Sequence, residues 1–344
     1  MEVNAQNLKE SELTETGCTP STQIEGPTTP VASRFIGVLS SGKEVWLEGP
    51  RKNGKYALYW RVPSTREAIR ARPGWKILDA DYSQVEIRIA AELSGDPWLT
   101  AAINSGKDIH CYMASDVYGI PYDEFYTAWK DHQHPKHDEY SKSRSNVKGI
   151  TFGLLYGAGP KGLAWRAKIS EADARDLINR FYRKARGLKS WFDGEAAKAL
   201  TFGFVSTKRG RTRFYSPPTT DFEEIAETEA EKTAAREARE EEEAHIRRQA
   251  RNNPIQMTCV DILKLALTKI NFALHGGDLT KPRIYDAHFI LCVHDEILMT
   301  AREEHAEAVA KIMRDCMLEA YGEVMKTVAH GPLEVKMIDN WAEK

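Results

Sequence analysis

Cysteine is scarce in this chain, and long apolar runs are missing from it. The 344 residues include five cysteines (Cys18, Cys111, Cys259, Cys292 and Cys316), odd in number, widely scattered and never in a C-x-x-C pair. That usage excludes a small disulfide-stapled module, a zinc ribbon and a thioredoxin-like motif, and it suits a reducing compartment. No stretch approaches the roughly 18 uninterrupted apolar residues of a membrane span. The opening Met-Glu-Val-Asn-Ala-Gln-Asn lacks the basic and apolar regions of a secretory signal. A soluble, intracellular protein is expected. With 42% hydrophobic and 28% charged residues, the length suits one large or two ordinary domains with an ample core.

Charge of one sign is also missing on average: 48 Lys+Arg face 50 Asp+Glu, a formal net charge of −2. The average hides a segregation. Residues 221–245 hold eleven acidic and three basic side chains and carry −8, which leaves +6 on the remainder. Basic residues gather at 181–189, 208–213 and 247–251. Such a distribution permits a positive groove for phosphates while a solvated acidic arm faces elsewhere.

Residues 1–34, rich in Thr, Ser, Glu and Pro, read as a disordered or loosely packed leader. Over 35–64, the short β-prone runs Phe35–Leu39, Glu44–Leu47 and Tyr56–Arg61 are separated by Ser-Gly and Asn-Gly turns, as in a small antiparallel meander. Trp75–Ala80 is an apolar strand ending in Asp81, and Val85, Ile89 and Leu93 then recur at helical spacing. Residues 121–143 are polar, aromatic and His-rich. His132, His134 and His137 could bind a metal, but a solvated insertion with incidental histidines is the preferred reading. Helices are expected over Arg144–Tyr156, Glu171–Leu200 and, long and charged, Glu223–Arg251. Phe289–Val293 and Ile297–Thr300 form a hairpin with His294-Asp295-Glu296 at its tip, followed by a helix over 303–321 and a strand at Leu333–Ile338. Strands and helices are segregated, so the expected class is α+β.

Two constellations could carry chemistry. Asp81 and Asp295 stand at strand ends, where carboxylates can converge on a sheet lip and hold Mg²⁺; equally, acids there are commonplace turn residues. Arg144, Lys148 and Phe152 are spaced by four, and Tyr156 continues the series along one helical stripe. Two cations followed by two rings suit a nucleotide, while an amphipathic helix with snorkelling cations explains the same spacing.

The motifs around these residues resemble family A DNA polymerases, the DNA polymerase I group. DYSQVEIRIAAELSGD (81–96) is similar to that family's motif A, RSNVKGITFGLLYG (144–157) to motif B and VHDEI (293–297) to motif C. GKDIH (106–110), KRGRTRFYSP (208–217), RRQARNNPIQ (247–256) and PLEVKMIDNW (332–341) support them in the family's order, so the resemblance covers about residue 65 to the end.

This resemblance implies a right-hand polymerase: a palm of antiparallel sheet and packed helices at 65–120 (motif A) and 251–344 (motif C), with helical fingers and insertions at 121–250 (motif B). It implies template-directed addition of deoxynucleotides to a primer 3′ end. Asp81, Asp295 and the Tyr82 carbonyl would hold two Mg²⁺ ions, with Glu296 tuning the pair or else simply facing water. His110, Arg144 and Lys148 would bind the triphosphate as fixed cations, and Lys148 would also serve catalysis. Phe152 would stack near base and sugar, Tyr156 against the templating pair; Gln84 and Glu86 would line the nucleotide pocket, Glu86 as the gate against a ribose 2′-hydroxyl. Arg248, Asn252, Gln256 and His294 would follow the minor groove at the primer terminus. Thr151 stands where the family usually has Asn, and TETGCTPST (14–22) only partly echoes a primer-contacting signature, with Cys18 at its Arg position.

Only 80 residues precede Asp81, so thumb and exonuclease domains are expected to be absent. Synthesis is then expected to be distributive or to depend on a separately encoded thumb, clamp or exonuclease subunit, for which 121–143 and 221–245 are candidate docking surfaces or else variable loops. Implied partners are primer-template DNA and deoxynucleoside triphosphates, in the cytoplasm of a bacterial, phage or plasmid context. The alternatives are a non-catalytic DNA-binding replication protein derived from a polymerase and a single-subunit RNA polymerase, the latter disfavoured by Glu86 and its DYSQVE context.

Overall fold

The turn-separated runs after residue 32 pair as expected. The computed structural model describes strand segments at 24–25, 33–38, 44–48 and 57–62, and residues 65–343 except 168, 217 and 219–224. Strands β2 (Ser33–Val38), β3 (Glu44–Glu48) and β4 (Ala57–Val62) form an antiparallel meander, to which β1 (Ile24–Glu25) adds in parallel beside β4. The rest of the leader expected over 1–34 lies outside the described residues.

A second antiparallel sheet has the order β10-β5-β9-β8, from β5 (Trp75–Asp81), β8 (Ala287–Val293), β9 (Glu296–Arg302) and β10 (Val335–Ile338). Side chains alternate across its faces. Leu78, Ala80, Ile297 and Met299 point into the main helical core. Ile77, Leu298 and Ile338 cluster with Trp341 on the opposite face. Asp79 and Asp81 belong to that second face by strand alternation, so apolar packing gives way to carboxylates at the sheet's end.

Ten helices surround this sheet among the described residues: α1 (Val85–Ser94), α2 (Pro97–Asn104), α3 (Ile109–Tyr118), α4 (Tyr122–Lys130), α5 (His137–Leu155), α6 (Pro160–Ala167), α7 (Glu171–Lys184), α8 (Arg186–Phe202), α9 (Glu229–Leu274) and α10 (Ala306–Val324), with a short hairpin of β6 (Phe204–Ser206) and β7 (Thr212–Phe214). The class is α+β, mostly helical with an antiparallel sheet. No described helix is long and apolar enough to cross a membrane.

Three elements differ from expectation. Residues 121–143, expected as a solvated insertion, fold as α4, a turn over 131–136 and the first turns of α5: Phe125 and Ala128 are buried, and Phe125 stacks on Tyr140 with centroids 4.8 Å apart. The helix expected over 171–200 breaks at Ala185, because the chain there docks on Asp96. A Cβ at Gly187 would come within 2.9 Å of the Asp96 Cα. The charged helix does not end at Arg251. It runs through Pro254 to Leu274, a span of about 69 Å, and burial of Ile255, Ile262, Ala266 and Ile270 offsets the hydrogen bond that Pro254 forfeits. Its described start is a capping box of Thr228 and Glu231.

Motif A positions the rest through buried polar groups on and beside α1. Asp96 is fully buried and caps two helices: Oδ1 accepts from the Trp98 and Leu99 amides at 3.0 and 2.9 Å, and Oδ2 from the Leu188 amide at 3.0 Å. Arg88 donates to the Ser83 and Ala329 carbonyls at 2.9 and 2.7 Å. Glu92 accepts from Lys208, the Lys326, Thr327 and Val328 amides and the Thr327 hydroxyl, all at 2.7–3.1 Å. Burial works against ionisation of Glu92, but the hydrogen bonds from Thr327, Lys326 and Lys208 outweigh it and hold the carboxyl down at about 2. That lies below its ordinary value, so its stabilising contribution is complete above the unfolded-state pKa and is lost as pH falls through the folded-state one. Glu92→Gln is expected to cost about 2 kcal/mol near neutrality, with the gap to wild type closing between about pH 5 and about pH 2. Urea titrations across that range check it; a gap independent of pH contradicts it.

Candidate active site

Asp81 and Asp295 are brought to one sheet end by backbone pairing. β5 and β9 run antiparallel with Asp81 opposite Glu296, and where the ladder ends the Tyr82 N–H donates to the Asp295 carbonyl at 3.3 Å. The hairpin turns in two residues, with His294 in left-handed conformation at φ 55°; Gln84, just before α1, has φ 54°. Among the described residues these are the two non-glycine positions with positive φ, each costing about 1 kcal/mol or more. Such strain concentrates where a fold must hold side chains in fixed places.

The local field is negative. Burial pushes the Asp295 carboxyl up, and the charges of Asp81 and Glu86 add to the push, while a backbone hydrogen bond and His294 oppose it. Glu296 does not face water: it is buried and accepts a 2.6 Å hydrogen bond from the Trp341 indole. Tyr82 is buried with its hydroxyl donating to the Met317 carbonyl at 2.8 Å. Among the described residues, no group of three or more His, Cys, Asp or Glu side chains is arranged to hold a metal. Asp81 and Asp295 are the carboxylates at this sheet end, and the Tyr82 carbonyl beside them accepts from the Val85 amide at 3.3 Å. His132 and His137 contact each other, Nδ1 to Nε2 at 3.2 Å, while His134 turns its Nδ1 to the Lys136 amide.

On α5, Arg144, Lys148 and Phe152 rise along one stripe, and Tyr156 follows as the residue capping the helix. Arg144 is held by Asp108, Nε to Oδ1 at 3.1 Å and Nη2 to Oδ2 at 2.8 Å, and its Cζ lies 4.4 Å from the Trp129 ring centroid. Lys148 is exposed. His110 departs from the expectation of a triphosphate-binding cation. It is fully buried, 5.9 Å from the Phe152 ring, and its pKa is lowered to about 4 by burial, reinforced by Arg144 and Lys148 and opposed by Asp108. The imidazole is therefore neutral at physiological pH.

A third group links helices α1, α5 and α9. The Tyr156 hydroxyl lies 2.7 and 2.8 Å from the two Glu86 oxygens, and Gln256 Nε2 donates to Glu86 Oε1 at 2.7 Å. Burial pushes the Tyr156 phenol up to about 12, with Glu86 adding to it, so it remains a donor. Asn252 donates to the Leu155 carbonyl at 3.0 Å, and Arg248 packs so closely on Gly157 (φ 72°) that a Cβ there would lie 2.9 Å from the Arg248 side chain. Arg248 and Asn252 line a cleft of about 520 Å³ together with Tyr156, Arg213, His245 and Gln249. No site role is expected of the last three individually, although Arg213 belongs to the 208–213 basic cluster and His245, Gln249 and Asn252 follow helical spacing. Four members of the basic clusters pair internally: Lys184 with Asp116, Lys208 with Glu92, Arg211 with Asp261 and Arg251 with Asp193.

A raised carboxyl means that the fold is strained by the charged form. Stability from this site is therefore lost as pH rises through the folded-state value of Asp295. Asp295→Asn is expected to melt at or above the wild-type temperature near neutrality in the absence of divalent ions. Calorimetry checks this; a clearly lower melting temperature contradicts it.

Residues 60–343 match DNA polymerase family A. The chain is 31% identical to DNA polymerase I of Chloroflexus aurantiacus over 278 residues, which is 81% of this chain and 25% of that protein. It is 31% identical to the thermostable DNA polymerase I of Thermus aquaticus over 258 residues, 74% of this chain and 26% of that protein. The POL domain of Pol1 from M. smegmatis, solved in complex with DNA primer-template and dNTP, superposes with a TM-score of 0.61 at 28% identity, covering 80% of this chain and 42% of that one. The chain thus spans about a quarter of the length of these curated relatives. From the sheet end to the helix stripe, the site sits within the matched segment, and the chain belongs to DNA polymerase family A.

Proposed function

We propose that the chain carries the palm and fingers of a DNA-directed DNA polymerase that adds deoxynucleotides to a primer 3′ end, acting in the cytoplasm of a bacterial, phage or plasmid context. The observation that carries this reading is the β5–β9 register, which brings Asp81 and Asp295 to one end of the sheet. In this reading 65–120 and 251–344 are palm and 121–250 is fingers. The M. smegmatis complex with primer-template and dNTP lends support.

Two carboxylates and the Tyr82 carbonyl in a field of excess negative charge fit a pair of hard divalent cations. When bound, Mg²⁺ ions there supply acidification of the primer hydroxyl and neutralisation of charge on the triphosphate. The chain's own residues do the rest. Arg144 and Lys148 hold the triphosphate through charge-assisted hydrogen bonds, and Lys148, exposed and one turn further along α5, stands ready to stabilise charge gathering on the leaving pyrophosphate. Neutral His110 can add a hydrogen bond but no charge. Phe152 takes the sugar and base, and Gln84 helps to line the pocket. Glu86, fixed by Tyr156 and Gln256, presents immobile bulk where a 2′-hydroxyl would lie. Arg248, Asn252, Gln256 and His294 follow the terminal base pair, where minor-groove acceptors common to all correct pairs check shape rather than sequence. Glu296, held by Trp341, steadies the hairpin beside the metal ligands.

With Mg²⁺, dNTPs and a primed template, the purified chain is expected to extend the primer, and Asp295→Asn to slow extension roughly 100- to 1,000-fold. Equal rates in the two proteins contradict the assignment, and DNA binding without extension favours a non-catalytic role. Extension is expected to be distributive unless a separate thumb, clamp or exonuclease subunit is supplied, since phosphate grip sets the off-rate; long products from one binding event in the presence of trap DNA speak against this.

Phe152 carries no hydroxyl to replace a missing 3′-hydroxyl, so the enzyme is expected to discriminate against dideoxynucleotides, and Phe152→Tyr to relax that preference. Competition between deoxy- and dideoxynucleotides measures it; equal use by the wild-type chain rules it out.

A further inference from the structure

Arg144 has its orientation set before any nucleotide arrives. Asp108 accepts from its Nε and Nη2 at 3.1 and 2.8 Å, a fork-to-fork pair in which both side chains are largely buried, with 18% and 23% exposure. Asp108 is itself pinned: its Oδ1 also accepts from the Cys111 amide at 2.7 Å as the cap of α3. The guanidinium Cζ lies 4.4 Å from the ring centroid of Trp129, a half-buried side chain on α4 that packs against Tyr126 and the main core. Two of the five guanidinium N–H groups are spent on Asp108 and the Cys111 thiol is a further hydrogen-bonding neighbour, which leaves at least two donors for a ligand. Arg144 otherwise has many rotamers, and ordering them at the moment of binding weakens affinity.

We propose that Asp108 and Trp129 are positioning residues for nucleotide binding: they lock the Arg144 guanidinium so that its unspent edge meets the triphosphate tail. The inference rests on the polymerase reading for the identity of the ligand. It gives α4, within the segment 121–143, a role in the site itself. Asp108 fixes the plane and rotation of the fork, and Trp129 covers one face of it, which keeps water from competing for the cation. Arg144 can engage a phosphate without leaving Asp108, because the two use different edges of the guanidinium.

Equilibrium binding of a fluorescent dNTP analogue to the full chain with primer-template and Ca²⁺ tests this separately from turnover. Asp108→Asn keeps the α3 cap and the fold, checked by circular dichroism, but gives up the charged fork. It is expected to weaken binding about tenfold, and in steady-state extension to raise KM more than it lowers kcat. Trp129→Ala is expected to weaken binding about three- to fivefold, with Trp129→Phe restoring most of it. In an Arg144→Ala background, Asp108→Asn and Trp129→Ala are expected to have no further effect. Equal losses in the presence and absence of Arg144, no loss in the Asp108 variant, or no nucleotide binding by the wild-type chain overturns the proposal. Nucleotide binding that follows this pattern without any primer extension supports it and overturns the polymerase reading alone.

Discussion

The pairing of β5 with β9 is the constraint on which the rest of this structure depends. A strand's side chains alternate, so a slip of one residue would turn Asp81 from the open face of the sheet into the helical core. Leu78, Ala80, Ile297 and Met299 make that slip prohibitive, because they fill the core only in the observed register. The placing of Asp81 and Asp295 at one sheet end is thereby specified by apolar residues of the core. The Tyr82 amide bond to Asp295 and the left-handed turn at His294 then finish the alignment at the sheet's end.

Motif A extends this constraint outward. Within sixteen residues it supplies Asp81, Glu86 held by Tyr156 and Gln256, and the buried Arg88, Glu92 and Asp96. Glu92 satisfies the amides of 326–328 on the way to β10, and Asp96 serves the orphan amides of α2 and α8. These carboxylates are buried because each is surrounded by donors, the condition under which burying charge is tolerated. α1 and its flanks thus tie α2, α8 and the segment before β10 together, and a change in α1 is felt at each of them.

Local patterns made much of this legible. The alternation and turn signals of the meander, the motif C hairpin and the four-residue spacing of Arg144, Lys148 and Phe152 are short-range features, and the observed elements follow them. Features set by distant partners were not legible. The break at Ala185 depends on Asp96, and the continuation of α9 through Pro254 depends on burial that no local propensity encodes. The helical character of 121–143 rested on three buried residues, Phe125, Ala128 and Tyr140, in a polar context. His110 could be placed near the phosphates from its motif, but its neutrality arises from a pocket built by α3 and α5 together. The partners of Arg144 were equally hidden, since Asp108 and Trp129 meet it only in three dimensions.

The most direct measurement of the central claim is a crystal of the chain grown or soaked with Mn²⁺ and examined by anomalous diffraction. The account predicts an anomalous peak between the carboxylates of Asp81 and Asp295 and within reach of the Tyr82 carbonyl. Carboxylates turned away from one another, with no manganese between them at saturating concentration, would contradict it.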